Sequence, residues 1–191
     1  MKAALTGIIL AVIILAFIPC LPSMAASNGT ITINMTTVET IIAIELSQSQ
    51  WPLGNVTADT AYKTDPEATW CSINNTGTVD VDIRIQGENA TEVRTPPSNY
   101  HWLLSSDGTN EGHGTDWDEY ALWYHMAYDS EGNYTIISTT EDFMKKEGGD
   151  KLSLVPGKYK QFGLKLLTPT SLSPDKQMQA HITISAVKAV S

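Results

Sequence analysis

The chain has 191 residues, a formal net charge of −9, and 42% hydrophobic and 17% charged residues. This length suffices for one domain with a substantial core, and the excess of carboxylates excludes nonspecific binding to nucleic acid or anionic lipid. Only two cysteines occur, Cys20 and Cys71, which excludes a disulfide-rich scaffold.

Residues 1–25 have the features of a cleaved secretory signal peptide. Lys2 provides the positive charge, residues 5–18 form the apolar segment, and Ser23-Met24-Ala25 matches a small-x-small cleavage site. We therefore predict that the mature chain begins at Ala26. The protein is then secreted, extracellular or on the cell surface, and is not held in the membrane after cleavage.

Two other interpretations of this segment stay open. In the first, a lipid is attached to Cys20, although the residues before it are larger than such a site prefers. In the second, the protein is a type IV pilin-like subunit that is cut after Ala3 and keeps its apolar helix. Pro19 and Pro22 would interrupt that helix.

Residues 26–37 contain a short, isolated strand pattern. Apolar and polar side chains alternate there, which is the period of a half-buried strand. The residues concerned are Thr30, Ile31, Thr32, Ile33, Asn34 and Met35. The strand packs either into its own domain or into a neighbouring copy as a donor strand, and the pattern is compatible with both.

Residues 38–191 are predicted to form a single β domain. Strand-like segments recur between turns at 39–46, 69–74, 79–86, 120–127, 134–137, 158–167 and 178–186. We expect an all-β fold, an antiparallel β-sandwich of jelly-roll type. The turn Asn75-Thr76-Gly77 predicts a hairpin between 69–74 and 79–86, and residues 140–147 predict one short helix.

Six Asn-x-Thr sequons predict glycosylation of the exterior, with the alternative that turns of β proteins are simply rich in Asn and Thr. They begin at Asn28, Asn34, Asn55, Asn74, Asn89 and Asn133.

The polar stretch 105–119 is a candidate ligand-binding loop. It is rich in glycine and in side chains with hard oxygen ligands of the kind that Ca²⁺ takes. The calcium candidates are Asp107, Asn110, Glu111, Asp116 and Asp118, and their spacing matches no known calcium-loop motif. Carbohydrate binding is an alternative, with Trp102 and Trp117 as platforms, whereas the pattern places Trp123 in the core.

Catalytic motifs are missing from the sequence. The four histidines, His101, His113, His125 and His181, are scattered, with no metalloprotease pair and no serine-nucleophile elbow. We expect no enzyme activity and no cofactor other than the calcium considered above. His125 lies in an aromatic segment and is interpreted as a hydrogen-bonded structural residue, and Cys71 as a buried thiol.

The order of these features resembles the fibre-forming jelly-roll proteins typified by TasA and camelysin in bacteria and by the archaeal bundling pili. The resemblance rests on the signal segment, the isolated strand at 30–35, and the strand–turn–strand segment at 70–81. It also rests on Pro156-Gly157 leading into residues 162–166, and on the last alternating strand at 180–186.

The resemblance implies a homopolymer that assembles by donor-strand complementation. The N-terminal strand of one subunit then completes a sheet of the next, and the protein is a structural subunit of a filament, pilus or biofilm matrix fibre. The rival hypothesis is a monomeric secreted module that binds carbohydrate or calcium through residues 105–119.

Overall fold

Alternating apolar and polar side chains produce a purely β architecture. The structure is a computed structural model and describes residues 39–64, 70–94, 99–112, 117–127, 133–146, 148–173 and 176–190. Within these ranges the chain forms thirteen strands and no helix. Accordingly, no helix in the described part of the chain is long and apolar enough to cross a membrane.

The strands are mostly short. In chain order they are β1 Ile44–Leu46, β2 Ala61–Lys63, β3 Cys71–Asn75, β4 Val81–Gly87, β5 Ala90–Glu92, β6 His101–Leu104, β7 Trp117–Met126, β8 Thr135–Ile137, β9 Asp142–Phe143, β10 Ser153–Leu154, β11 Tyr159–Leu167, β12 Met178–Gln179 and β13 Ile182–Lys188. The longest of them, β7 and β11, lie side by side in the larger sheet.

The strands form two sheets. The larger has nine strands in the order β1-β3-β11-β7-β6-β5-β12, with β2 beside β11 and β8 beside β7. The smaller has four, in the order β10-β4-β13, with β9 beside β4. The predicted β-sandwich is confirmed. Every strand pair in the described residues is antiparallel except β6 and β7, which are parallel.

The core lies between the two sheets. From the larger sheet β7 contributes Tyr120, Leu122 and Tyr124, and from the smaller sheet β4 contributes Val81 and Ile83, all at most 2% exposed. These positions are two residues apart along each strand, as expected for one face of a pleated strand. The alternation in 79–86 therefore predicted the buried face of β4 correctly.

The predicted hairpin between 69–74 and 79–86 is wrong. Strand β3 pairs with β1 and β11, and β4 pairs with β13, so the intervening turn crosses from one sheet to the other. Fully buried Asn75 holds this crossing: its Nδ2 donates to Val79 O at 2.9 Å and Leu154 O at 2.8 Å, and its Oδ1 accepts from Gly77 N at 2.9 Å. A buried amide requires such partners, and the crossing supplies them.

The predicted helix at 140–147 is also wrong within its described residues, 140–146. Asp142 and Phe143 form β9, which pairs with β4. Fully buried Met144 continues the pairing, since its N–H donates to Ile83 O at 2.8 Å. Burial of Met144 and cross-strand hydrogen bonds outweigh the weak local preference for helix.

Residues 1–38 lie outside the described part of the chain. The signal peptide at 1–25 and the N-terminal strand at 30–35 therefore stay predictions from the sequence.

Candidate functional site

The most distinctive feature of the smaller sheet is the open side of its last strand. β13 pairs with β4 along its whole length, from Ile182 opposite Gly87 to Lys188 opposite Val81. Within the described ranges no strand lies on the other side of β13. One edge of the sandwich is therefore a seven-residue strand with a free side.

Hydrogen bonds at both ends of β13 establish which backbone groups point to this free side. Glu88 N donates to His181 O at 3.0 Å, and Ala189 N donates to Asp80 O at 2.9 Å. Because hydrogen-bonded and non-hydrogen-bonded pairs alternate in an antiparallel ladder, residues 183, 185 and 187 bond to β4. The N–H and C=O groups of residues 182, 184, 186 and 188 consequently point away from β4.

The side chains of β13 are incompletely covered. Ile182, Ile184 and Ala186 contact the core cluster yet are only half-buried. Their neighbours on β4 differ, since Ile83 and Ile85 are 0% and 3% exposed. An unpaired strand edge beside a half-covered apolar row is a template for a further strand.

Among the described strands, the larger sheet also has an edge without a neighbour, at β1. Leu46 is 38% exposed, and Ile41 and Ile42, which precede the strand, are 43% and 45% exposed. This edge is shorter, with three residues. Ser47 N bonds to Ser72 O and Thr76 N to Ala43 O, so the backbone groups of Ile44 and Leu46 point outward. The predicted donor strand ends nine residues before Ile44.

The polar face of β13 carries a small charged network. Ser185 Oγ donates to Glu141 Oε1 at 2.6 Å, and Arg84 Nη1 donates to Glu141 Oε2 at 2.8 Å. Both hydrogen bonds lower the pKa of the Glu141 carboxyl below its usual value, and the one from Ser185 has the larger effect. The network connects β13, β4 and the residue before β9 on the outer face of the smaller sheet.

The predicted calcium ligands make contacts with different parts of the protein. Asp107 Oδ1 accepts from Ser105 Oγ at 2.8 Å and from both the N and Oγ1 of Thr109, at 3.1 and 2.8 Å. The hydrogen bond from the Thr109 backbone and that from Ser105 lower the pKa of the Asp107 carboxyl. Asn110 instead donates to Asp59 Oδ1 at 2.9 Å.

Asp118 is buried and lies in β7 rather than in a loop. It accepts hydrogen bonds from Tyr100 Oη and, at 3.2 Å, from Ser171 Oγ. Glu111 is exposed, and Asp116 lies outside the described residues. The described residues contain no group of three or more His, Cys, Asp or Glu side chains that could hold a metal ion. Calcium binding stays a prediction.

Trp102 and Trp123 do not have the exposures that the sequence predicted for them. Trp102 is buried and donates its Nε1–H to Tyr100 Oη at 3.1 Å, so it is not an exposed sugar platform. Trp117 is half-buried at the start of β7. Trp123, predicted to be core, lies on the outer face of the larger sheet, because Leu122 and Tyr124 on either side of it face the core.

His125 and Cys71 also differ from expectation. His125 lies between the rings of Trp70 and Tyr134, at centroid distances of 4.9 and 5.2 Å. Its buried Nδ1 has no hydrogen-bond partner among the described residues, so the predicted hydrogen bond is missing at this atom. Cys71 is a free, half-buried thiol rather than a buried one.

The sequons differ in accessibility. Asn55 and Asn133 are exposed, and Asn74 is half-buried within β3. Asn89 is exposed, but its Oδ1 accepts a hydrogen bond from Leu104 N at 2.9 Å. The sequons at Asn28 and Asn34 lie outside the described residues. Glycosylation of these sites stays a prediction.

No protein-family model matches the sequence, and no curated protein matches it either. Among solved structures, the chain is similar to a protein chain from a structure of a chaperone–usher pilus that addresses rod uncoiling. The two share 11% sequence identity with a TM-score of 0.36, and the match covers 86% of this chain and 98% of the other. The function proposed below therefore rests on the geometry of this chain.

Proposed function

We propose that the protein is a structural subunit of an extracellular filament that assembles by donor-strand complementation. In this proposal the N-terminal strand at 30–35 of one copy pairs with the open side of β13 in the next. The observation that carries the proposal is the combination of free backbone groups and half-buried apolar side chains along β13.

The chemistry of the two partners is complementary. The open side of β13 offers N–H and C=O groups at residues 182, 184, 186 and 188, and each bond made with an incoming strand contributes about 1 kcal/mol net. Ile31, Ile33 and Met35 form the apolar face of the proposed donor strand. Burying each of them beside Ile182 and Ile184 contributes roughly 2 kcal/mol.

The signal segment at 1–25 agrees with this role, because a filament subunit must be exported before it polymerises. The six sequons and the acidic surface suit an extracellular location, for example in a pilus or a biofilm matrix. Structural assembly requires no catalytic group, and we propose that the protein is not an enzyme.

The test compares the mature chain starting at Ala26 with a truncation starting at Val38. Both are refolded from denaturant at the same concentration and examined by gel filtration and negative-stain electron microscopy. We expect filaments from the first and folded monomers from the second. Adding a synthetic peptide of residues 28–37 to the truncated protein should increase its thermal stability, because the peptide occupies the vacant edge.

A different pair of results would refute the proposal. If the mature chain stays monomeric and the truncation unfolds, the N-terminal strand belongs to its own domain. The matched control is a peptide with Ile31→Asp and Ile33→Asp, which keeps the backbone but loses the apolar face. Equal stabilisation by both peptides would show that the apolar face is irrelevant.

A further inference from the structure

A group of basic and aromatic side chains lies on the outer face of the larger sheet. Lys165 on β11 is directly opposite Lys63 on β2 and, on its other side, directly opposite Trp123 on β7. Tyr134, just before β8, lies beside them. We call Lys63, Lys165, Trp123 and Tyr134 the basic aromatic patch.

The ammonium groups of the patch converge on its rings. Lys165 Nζ lies 4.4 Å from the centroid of the Trp123 ring and 5.5 Å from that of Tyr134. Lys63 Nζ lies 5.6 Å from the same Tyr134 centroid. Two like charges on directly opposed residues repel each other across a sheet, and attraction to the aromatic faces offsets part of that repulsion.

Neither patch lysine has a carboxylate within 4 Å among the described residues, although the chain carries a net charge of −9. A second site in the protein provides a contrast. There Arg84 and Lys151 share the ring of Phe143, at 4.6 and 3.9 Å, and Glu141 lies 2.8 Å from Arg84. Among the described residues, the Phe143 site contains its own anion, whereas the basic aromatic patch has two cations and no carboxylate beside them.

The surroundings of the patch hold its rings in place. A Cβ at Gly108 would lie 3.0 Å from Trp123 Cζ2, so the loop after β6 passes close to the six-membered ring of that indole. His125 contacts the Tyr134 ring and Trp70 contacts His125, and both of these buried side chains support the Tyr134 ring. Trp70 in turn lies over Gly163, where a Cβ would be 3.1 Å from the indole.

We propose that the basic aromatic patch binds an acidic polysaccharide. Carboxylates of uronate residues pair with Lys63 and Lys165, and the apolar faces of the sugar rings pack against Trp123 and Tyr134. Aromatic surface beside a few placed charges is the composition of a small-ligand site. The net negative charge of the chain opposes double-stranded nucleic acid, which carries one charge per about 1.7 Å, more strongly than a uronate chain, which carries one carboxylate per sugar residue.

The experiment measures binding of a defined oligogalacturonate to the mature full-length chain by isothermal titration calorimetry. The matched ligand is the same oligosaccharide as its neutral methyl ester. Lys63→Gln with Lys165→Gln removes both charges, and Trp123→Leu removes the ring. The control variant is Lys151→Gln, which removes a lysine that lies over an aromatic ring elsewhere.

We expect the wild-type chain to bind the oligogalacturonate and not its methyl ester. The double lysine variant should lose affinity by at least about tenfold and Trp123→Leu by about fivefold, with Lys151→Gln unchanged. Near-ultraviolet circular dichroism checks that each variant is folded. If Trp123→Leu does not fold, the lysine variants and the methyl ester still decide the outcome.

Three outcomes would overturn the proposal. The first is no binding of the oligogalacturonate at millimolar concentration. The second is an equal loss of affinity in the Lys151→Gln control, which would indicate general attraction to positive charge. The third is equal binding of polyglutamate, which would show that the patch recognises acidic peptides rather than sugars.

Discussion

Replacing Ala186 with proline should block filament assembly while leaving the subunit folded. The N–H of residue 186 points to the open side of β13, because the neighbouring residues 185 and 187 bond to β4. Proline is tolerated on an edge strand where its nitrogen faces away from the partner. The ladder between β13 and β4 should therefore survive the substitution.

The size of the effect follows from the hydrogen bonds that assembly makes at this residue. Proline removes one bond to the incoming strand, about 1 kcal/mol, and leaves a carbonyl of that strand buried without a donor, a further 1–2 kcal/mol or so. The sum of roughly 2–3 kcal/mol corresponds to an increase of about 30- to 150-fold in the concentration needed for polymerisation.

The assay is sedimentation of filaments from the mature chain across a range of protein concentrations, with urea unfolding of the truncated subunit as a check on folding. The matched control is Leu46→Pro on β1, where the N–H also points outward, but from the larger sheet. We expect the control to polymerise like the wild type.

The reverse pattern would refute the reasoning. If Leu46→Pro prevents assembly and Ala186→Pro does not, the acceptor is β1, and the half-buried row on β13 is irrelevant to assembly. If Ala186→Pro destabilises the truncated subunit as strongly as it inhibits polymerisation, then β13 is not a free edge.

Two further predictions concern the subunit itself. Asn75→Ala should lower the free energy of unfolding in urea by about 3 kcal/mol, because three hydrogen bonds of a fully buried amide are lost. The control, Asn74→Ala, should lower it by less than about 1 kcal/mol. Equal losses in the two variants would contradict the role given to Asn75. The Glu141 pKa is lowered in the folded state, so its ionised form stabilises the protein above the unfolded pKa, and this contribution is lost as pH falls through the folded pKa. Ser185→Ala should raise the Glu141 pKa, measured by carbon-detected NMR titration, but not to its ordinary value, because Arg84 still donates to the carboxylate. An unchanged pKa would show that the Ser185 hydrogen bond is not the main cause of the lowered pKa.

Local periodicity allowed much of the fold to be predicted. The alternation in 79–86 predicted which face of β4 is buried, and the turns between short segments predicted a β-sandwich. Alternation is a property of a single strand, so neighbouring residues suffice to reveal it. It gave no information at Leu122-Trp123-Tyr124, where every residue is apolar, and Trp123 was therefore placed on the wrong face.

The candidate sites were less predictable. Asp107, Asn110 and Asp118 are close in sequence, but they turn towards different partners, and Asp118 belongs to a strand. Lys63 and Lys165 are distant in sequence and adjacent only because β2 pairs with β11. No composition or motif at either lysine indicates the other.

The sequence by itself determined where most of the longer strands lie and, where apolar and polar residues alternate, which of their faces is buried, because both depend on residues a few positions apart. Only the tertiary structure decided how the strands pair. It sent the Asn75 turn from one sheet to the other instead of closing a hairpin, and it left one side of β13 without a neighbour among the described strands. Strand pairing depends on hydrogen bonds and burial between segments far apart in the chain, and those contacts exist only once the two sheets have come together.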